Sequence, residues 1–168
     1  MIDKFGKAFL TMFGIGYFKY APGSAASIVT CLIYLLIGFR LNFTYLIIFL
    51  IVVSLYSIIL IDKIYKKKDA KEIVIDEFIG QSIPFAFLAF LWGNLKFLRN
   101  EIGETLIFTT MIEWTLASLF FFRIFDILKP FPINLIDKKI KNGFGVILDD
   151  IVAGIFASIS VYIILLWI

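Results

Sequence analysis

The stretch GVILDDIVAGIFASISVYIILLWI, residues 145 to 168, sets two adjacent carboxylates, Asp149 and Asp150, ahead of a run that stays apolar through residue 168. As a helix rising 1.5 Å per residue, the run 151 to 168 covers about 27 Å, close to the roughly 30 Å of a bilayer's hydrocarbon core. A strand reading fails, because the run is too long and shows no alternation of polar and apolar residues. One Asp at such a place has a simple role, since a carboxylate suits the free N–H groups and the positive end of a helix N-terminus. Its neighbour points about 100° away and cannot cap the same end, so one of the two needs another partner.

Four further apolar runs stand upstream, at about 24 to 39, 44 to 61, 78 to 93 and 105 to 122. The second, fourth and fifth of the five are long enough to cross a bilayer, whereas the first and third are marginal and are expected to be short, re-entrant or packed inside the bundle. Hydrophobic residues make up 61% of the chain and the mean hydropathy is +0.99, far above the roughly 45–50% apolar content of soluble domains. The expected fold is therefore all-α: one small integral-membrane helical bundle over residues 1 to 168, with about five apolar helices. The chain has no histidine, which removes His-based triads, zinc-histidine sites and phosphohistidine chemistry together. Its only cysteine, Cys31, lies in an apolar run and reads as a packing residue, with no disulfide framework or thiolate metal site. No nucleic-acid motif is present, and lysines beside apolar runs suit an anionic membrane surface. Glycines and Lys19 interrupt the opening residues MIDKFGKAFLTMFGIGY, so no cleaved signal peptide is expected.

Charge orients the bundle. Thirteen of the sixteen basic residues fall in the head of the chain, in 62 to 77 and in a loop at 123 to 148, leaving only Arg40, Lys96 and Arg99 on the other side. Lysine and arginine gather in short cytoplasmic loops, so five crossings place the N-terminus inside and the C-terminus outside, with Trp92 and Trp167 near the outer boundary. Ten of the thirteen carboxylates lie on the same lysine-rich side, Glu101 and Glu104 lie opposite, and Glu113 alone falls mid-span.

Three helix ends carry acids to that inner face: Asp76-Glu77 opens the third run, Asp126 closes the fourth and Asp149-Asp150 opens the fifth. An anion at a helix C-terminus opposes the dipole, and Arg123, three residues before Asp126 on one face, can compensate it. Clustered carboxylates repel one another unless a cation neutralises them, and hard oxygen ligands suit Mg²⁺. In GIGYFKYAPGSAAS, residues 14 to 27, Pro22-Gly23-Ser24 starts a helix whose free N–H groups can hold an anion. Gly14 and Gly16 form GxG without a third glycine or a preceding strand, a weak dinucleotide signal. Arg123 and Lys129 bracket Asp126, and two prolines in FDILKPFPI stiffen the chain leaving the fourth helix.

The blocks GIGYFKYAPGSAAS, DAKEIVIDEFIG and FRIFDILKPFPINLIDKKIKNGFGVILDDIVAG resemble, in order, the three signature blocks of phosphatidylglycerophosphatase A and span residues 14 to 154. The resemblance implies an all-helical Mg²⁺-dependent lipid phosphatase that converts phosphatidylglycerophosphate to phosphatidylglycerol and phosphate. By motif it points to Asp76, Glu77, Asp126, Asp149 and Asp150 as catalytic and metal-holding residues. Gly23, Ser24, Ser27, Arg123 and Lys129 become the phosphate-binding residues, with Asp69 and Asp137 in support. The first block departs from the family's usual PGTxGS, with Ser24 for Thr and Ala26 for Gly. The implied setting is the bacterial inner membrane, with the site facing the cytoplasm and a phospholipid as partner; the residues leave water or an Asp as nucleophile and do not fix the oligomeric state. The alternative is a small ion-coupled transporter or channel subunit, for which Glu113 is the one fitting residue.

Overall fold

The computed structural model describes residues 2–37, 42–65, 70–94 and 104–165, and every regular element among them is helical. In chain order, α1 spans Ile2–Leu10, α2 Pro22–Ile37, α3 Phe43–Ile64, α4 Ile75–Asn94, α5 Glu104–Leu128, α6 Ile133–Lys139 and α7 Gly143–Leu165, with a 3-10 turn at Ile15–Tyr17. Local chemistry accounts for several starts. Pro22 occupies the first position of α2, where a missing N–H costs nothing. Asn42 caps α3 by accepting from the Thr44 N–H at 2.9 Å, and Asn142 caps α7 by accepting from the Gly145 N–H at 3.0 Å.

Helices α3, α4 and α7 are long and apolar enough to cross a membrane, and α2 is a shorter apolar helix of 16 residues. The third run is packed inside the bundle, as one expectation had it, but it is not short, and the fourth run, expected to cross, is not among these candidate spans of the described residues. Helix α4 includes the acidic pair and reaches 20 residues, about 30 Å at helical rise. The expected loop at 123 to 148 is also corrected, because α5 runs on to Leu128, α6 lies within the segment and α7 begins at Gly143. An Arg123–Asp126 pair one turn apart lets α5 carry its charges without ending. Asp149 and Asp150 consequently sit in the second turn of α7, not at its start. Capping of α7 falls to Asn142, joined by Asp62 of α3, whose Oδ1 accepts from the Gly143 N–H at 2.8 Å.

Helix α4 lies at the centre, against α2, α3, α5 and most extensively α7. Gly80 and Gly154 make that contact close. A methyl on Gly154 would overlap the Gly80 carbonyl, and one on Gly80 would lie 2.6 Å from the Asp150 carbonyl oxygen. Small residues let helix backbones approach in this way. One apolar cluster, including Leu10, Ile61, Val74, Ile79 and Ile147, fills the end nearest the acids. A second, including Cys31, Tyr34, Phe85 and Trp114, fills the other end, so Cys31 is a buried packing residue as expected. Trp114 is 1% exposed and donates Nε1–H to the Pro84 carbonyl at 3.1 Å. Large apolar side chains such as Leu36, Ile59, Leu116 and Phe120 point outward, a surface suited to lipid and too large for an aqueous monomer. The GxG pair has a backbone explanation: Gly14 has φ 104°, and a methyl on Gly16 would overlap the Glu72 carbonyl.

Candidate active site

Helices that alternate in direction bring the N-termini of α2, α4 and α7 to one end of the bundle, beside the C-termini of α3 and α5. Asp76 and Glu77 occupy the first turn of α4, and Asp150 faces them from α7. One carboxylate oxygen from each of Asp76, Glu77 and Asp150 lies within 4.8 Å of the other two. The register follows from the helix crossing: Gly80 is four residues after Asp76 and Gly154 four after Asp150, so the glycine contact stacks the two acids one turn above it. Asp76 Oδ1 and Glu77 Oε2 are buried without a hydrogen-bond partner. With Asp126, Asp137, Asp149 and Lys129 these acids line a cavity of about 180 Å³.

The other two expected ligands, Asp126 and Asp149, also face this cavity but are each tied to a cation. Lys129 follows α5 in a left-handed conformation, φ 43°, with its N–H donating to the Phe125 carbonyl at 2.9 Å. A non-glycine residue there carries strain of roughly 1–2 kcal/mol. The side chain meets two carboxylates, with Nζ 2.6 Å from Asp149 Oδ2 and 3.0 Å from Asp137 Oδ1. Desolvation pulls the Lys129 ammonium down, but its bonds to Asp149 and Asp137 outweigh that and hold it above its usual range. Arg123 Nη1 lies 2.7 Å from Asp126 Oδ2.

Gly23 earns its place sterically: a methyl there would overlap the Glu77 carboxylate and come 3.3 Å from Arg123 Nη1. The first turn of α2, with its free N–H groups, thereby adjoins both an acid and a guanidinium. Ser24 is partly buried in that turn. Ser27 does not join the site. It is fully buried and donates its hydroxyl to the Gly23 carbonyl at 3.0 Å, and Ala26 beside it is core. Asp69 lies outside the described residues. Glu113 is exposed on α5, remote in sequence from the acids that converge at the helix ends, so it is not a packing residue of this bundle. Asp62, Gly80, Gly154 and Asn142 were not singled out from sequence. The repeated spacing in DEFIG and DIVAG, an Asp with a glycine four residues on, was the available signal for the two glycines.

The family model described as phosphatidylglycerophosphatase A matches residues 8–165. A protein of Haemophilus influenzae named phosphatidylglycerophosphatase A is 33% identical over 159 residues, covering 92% of this chain and 85% of its own. A Bacteroides thetaiotaomicron protein proposed as a phosphatidylinositol-3-phosphatase is 27% identical over 90% of this chain and 87% of its own. The Escherichia coli protein named phosphatidylglycerophosphatase A is 34% identical over 96 residues, 57% of this chain and 45% of its own. No solved structure gives a significant match. A family match over nearly the whole chain, together with a well-covered relative above 30% identity, shows that this chain belongs to the phosphatidylglycerophosphatase A family.

Proposed function

We propose that the chain hydrolyses the phosphate monoester of phosphatidylglycerophosphate to phosphatidylglycerol and inorganic phosphate, using Mg²⁺ held by Asp76, Glu77 and Asp150. The observation that carries this reading is the convergence of those three carboxylates, two with buried unpartnered oxygens, in a cavity that also contains Lys129. Hard, crowded oxygen ligands of this kind fit Mg²⁺. Bound there, the ion would offset charge on the phosphoryl oxygens. Arg123, Lys129 and the first-turn N–H groups of α2 orient the phosphate through charge-assisted hydrogen bonds. Asp149, fixed by Lys129, and Asp126, fixed by Arg123, are the carboxylates available to accept a proton from attacking water or to attack phosphorus directly. With water as nucleophile, the proton taken by the carboxylate passes to the glycerol oxygen as its bond to phosphorus breaks; with direct attack, that oxygen leaves with a proton from solvent, an aspartyl phosphate remains, and water then hydrolyses it to free Asp and phosphate.

The test is phosphate release by the purified protein from phosphatidylglycerophosphate, phosphatidic acid and phosphatidylinositol 3-phosphate, before and after chelation. Phosphatidylglycerophosphate should be the fastest substrate, with a rate that falls at least about a hundredfold on chelation and returns with Mg²⁺. The third lipid is included because of the Bacteroides relative's name. Preference for it would redirect the head-group assignment, and a rate indifferent to chelation would remove the metal.

The lysine distribution supports a cytoplasmic site in a bacterial inner membrane, because Lys129 and Lys141 line the acidic cavity and Lys138 and Lys139 lie next to Asp137 in sequence, at the end of α6. Starting from Cys31→Ser, Lys139→Cys and Gly93→Cys test it; both positions are exposed, on α6 and near the far end of α4. In sealed right-side-out cells an impermeant thiol reagent should modify Gly93→Cys and reach Lys139→Cys only after permeabilisation. Labelling of Lys139→Cys from outside would invert the topology.

A further inference from the structure

A shallow groove of about 480 Å³ runs along α5, formed by Leu116, Leu119, Phe120, Ile124 and Ile127 with Arg123 among them. Its apolar members are open to the surroundings: Leu116 is 63% exposed, Phe120 61% and Ile127 67%. Arg123 belongs to two environments at once. Its stem lines this groove, while its guanidinium reaches Asp126 and the Gly23–Glu77 contact of the acidic site. Its Nε is buried and has no hydrogen-bond partner. A second apolar groove, of about 280 Å³ between α3, α4 and α7, is lined by Ile51, Ile83, Ile151 and other uncharged residues, without a cation.

We infer that the α5 groove is the acyl-chain subsite for a phosphate-monoester lipid, with Arg123 as the joint between tail and headgroup. The inference deepens the phosphatase reading and rests on it. An amphipathic substrate has its charge and its apolar chain joined end to end, and only a surface with the same succession matches both parts together. The α5 groove has that succession, with apolar side chains continuing past a guanidinium that turns into the acidic site. From Arg123 back to Leu116 the path is about 10 Å at helical rise, enough to lie along roughly the first half of a lipid tail. The α3–α4–α7 groove offers apolar area alone and suits bulk lipid.

The decisive experiment uses phosphatidic acid carrying a diazirine in one acyl chain, reconstituted with the full chain in phosphatidylcholine vesicles and irradiated with chelator present. Labels should concentrate on residues 116 to 123. Excess unlabelled phosphatidic acid should reduce them about tenfold, a difference in occupancy that extra phosphatidylcholine does not reproduce. Labels spread evenly over α3, α5 and α7, or displaced equally by phosphatidylcholine, would overturn the inference. A kinetic arm compares long-chain and dihexanoyl phosphatidylglycerophosphate. Phe120→Ala should raise KM for the long-chain substrate about tenfold through lost apolar contact, leaving kcat and the short-chain kcat/KM unchanged. Ile51→Ala, in the other groove, should change neither; the reverse pattern would also overturn the inference. A wild-type chain that releases phosphate from no lipid would sink the phosphatase reading, while the photolabelling result, which needs no turnover, would still decide the groove.

Discussion

Asp150→Asn is expected to fold and insert like the wild-type chain and to release phosphate at least about a hundredfold more slowly. The carboxylate is 4% exposed and shares a 4.8 Å cluster with Asp76 and Glu77. An amide keeps its volume but forfeits the charge that makes a hard divalent ion bind there. The loss should appear in kcat, because charge stabilisation at the phosphoryl group is realised most fully in the transition state. A thermal signature separates this from misfolding. Three crowded acids repel in the absence of a cation, so without Mg²⁺ the variant should melt no lower than wild type. With Mg²⁺ at a hundred times its Kd, wild type should gain about 2.7 kcal/mol of stability, and the variant should gain little. A fully active Asp150→Asn, or a variant stabilised by Mg²⁺ as strongly as wild type, would remove Asp150 from the metal set.

Gly154→Ala should be nearly as damaging, although the residue carries no chemistry. The added methyl would overlap the Gly80 carbonyl, a backbone atom that cannot rotate away. Helices α4 and α7 must then separate or shear, and overpacking of this kind costs typically 1–3 kcal/mol. Asp76 and Glu77 ride on one of these helices and Asp150 on the other. A displacement of about 1 Å between them is enough for a rate loss of about a hundredfold. The expected result is a lower melting temperature and a loss of activity that raising Mg²⁺ restores only in part, since the ligands no longer converge. Unchanged activity would show that the crossing does not set the spacing of the acids. Ala157→Gly, also on α7 and fully buried, provides a control, because it leaves the Gly80–Gly154 contact alone. It should lower stability through helix propensity and a small void while sparing kcat.

Hydrophobic run length by itself determined that this chain is a bundle of membrane helices. Removing an apolar run of about 18 residues from water outweighs any local preference, and within lipid the backbone must close its hydrogen bonds along the helix. The sequence also pointed to acids that the fold gathers: in a chain without histidine, Asp76, Glu77, Asp126, Asp149 and Asp150 stood out, and all five line one cavity. It did not rank those acids. Asp149 and Asp150 look equivalent as neighbours in sequence, yet a turn of about 100° gives one to Lys129 and the other to the Asp76–Glu77 cluster. Nor did it find where α7 starts, because the turn from Gly143 to Val146 contains no charge and the capping groups, Asn142 and Asp62, come from outside the apolar run. Those distinctions belong to the tertiary structure. They depend on the rotation of each helix about its axis and on the depth at which two helices cross, which two glycines far apart in the chain set by letting backbone meet backbone.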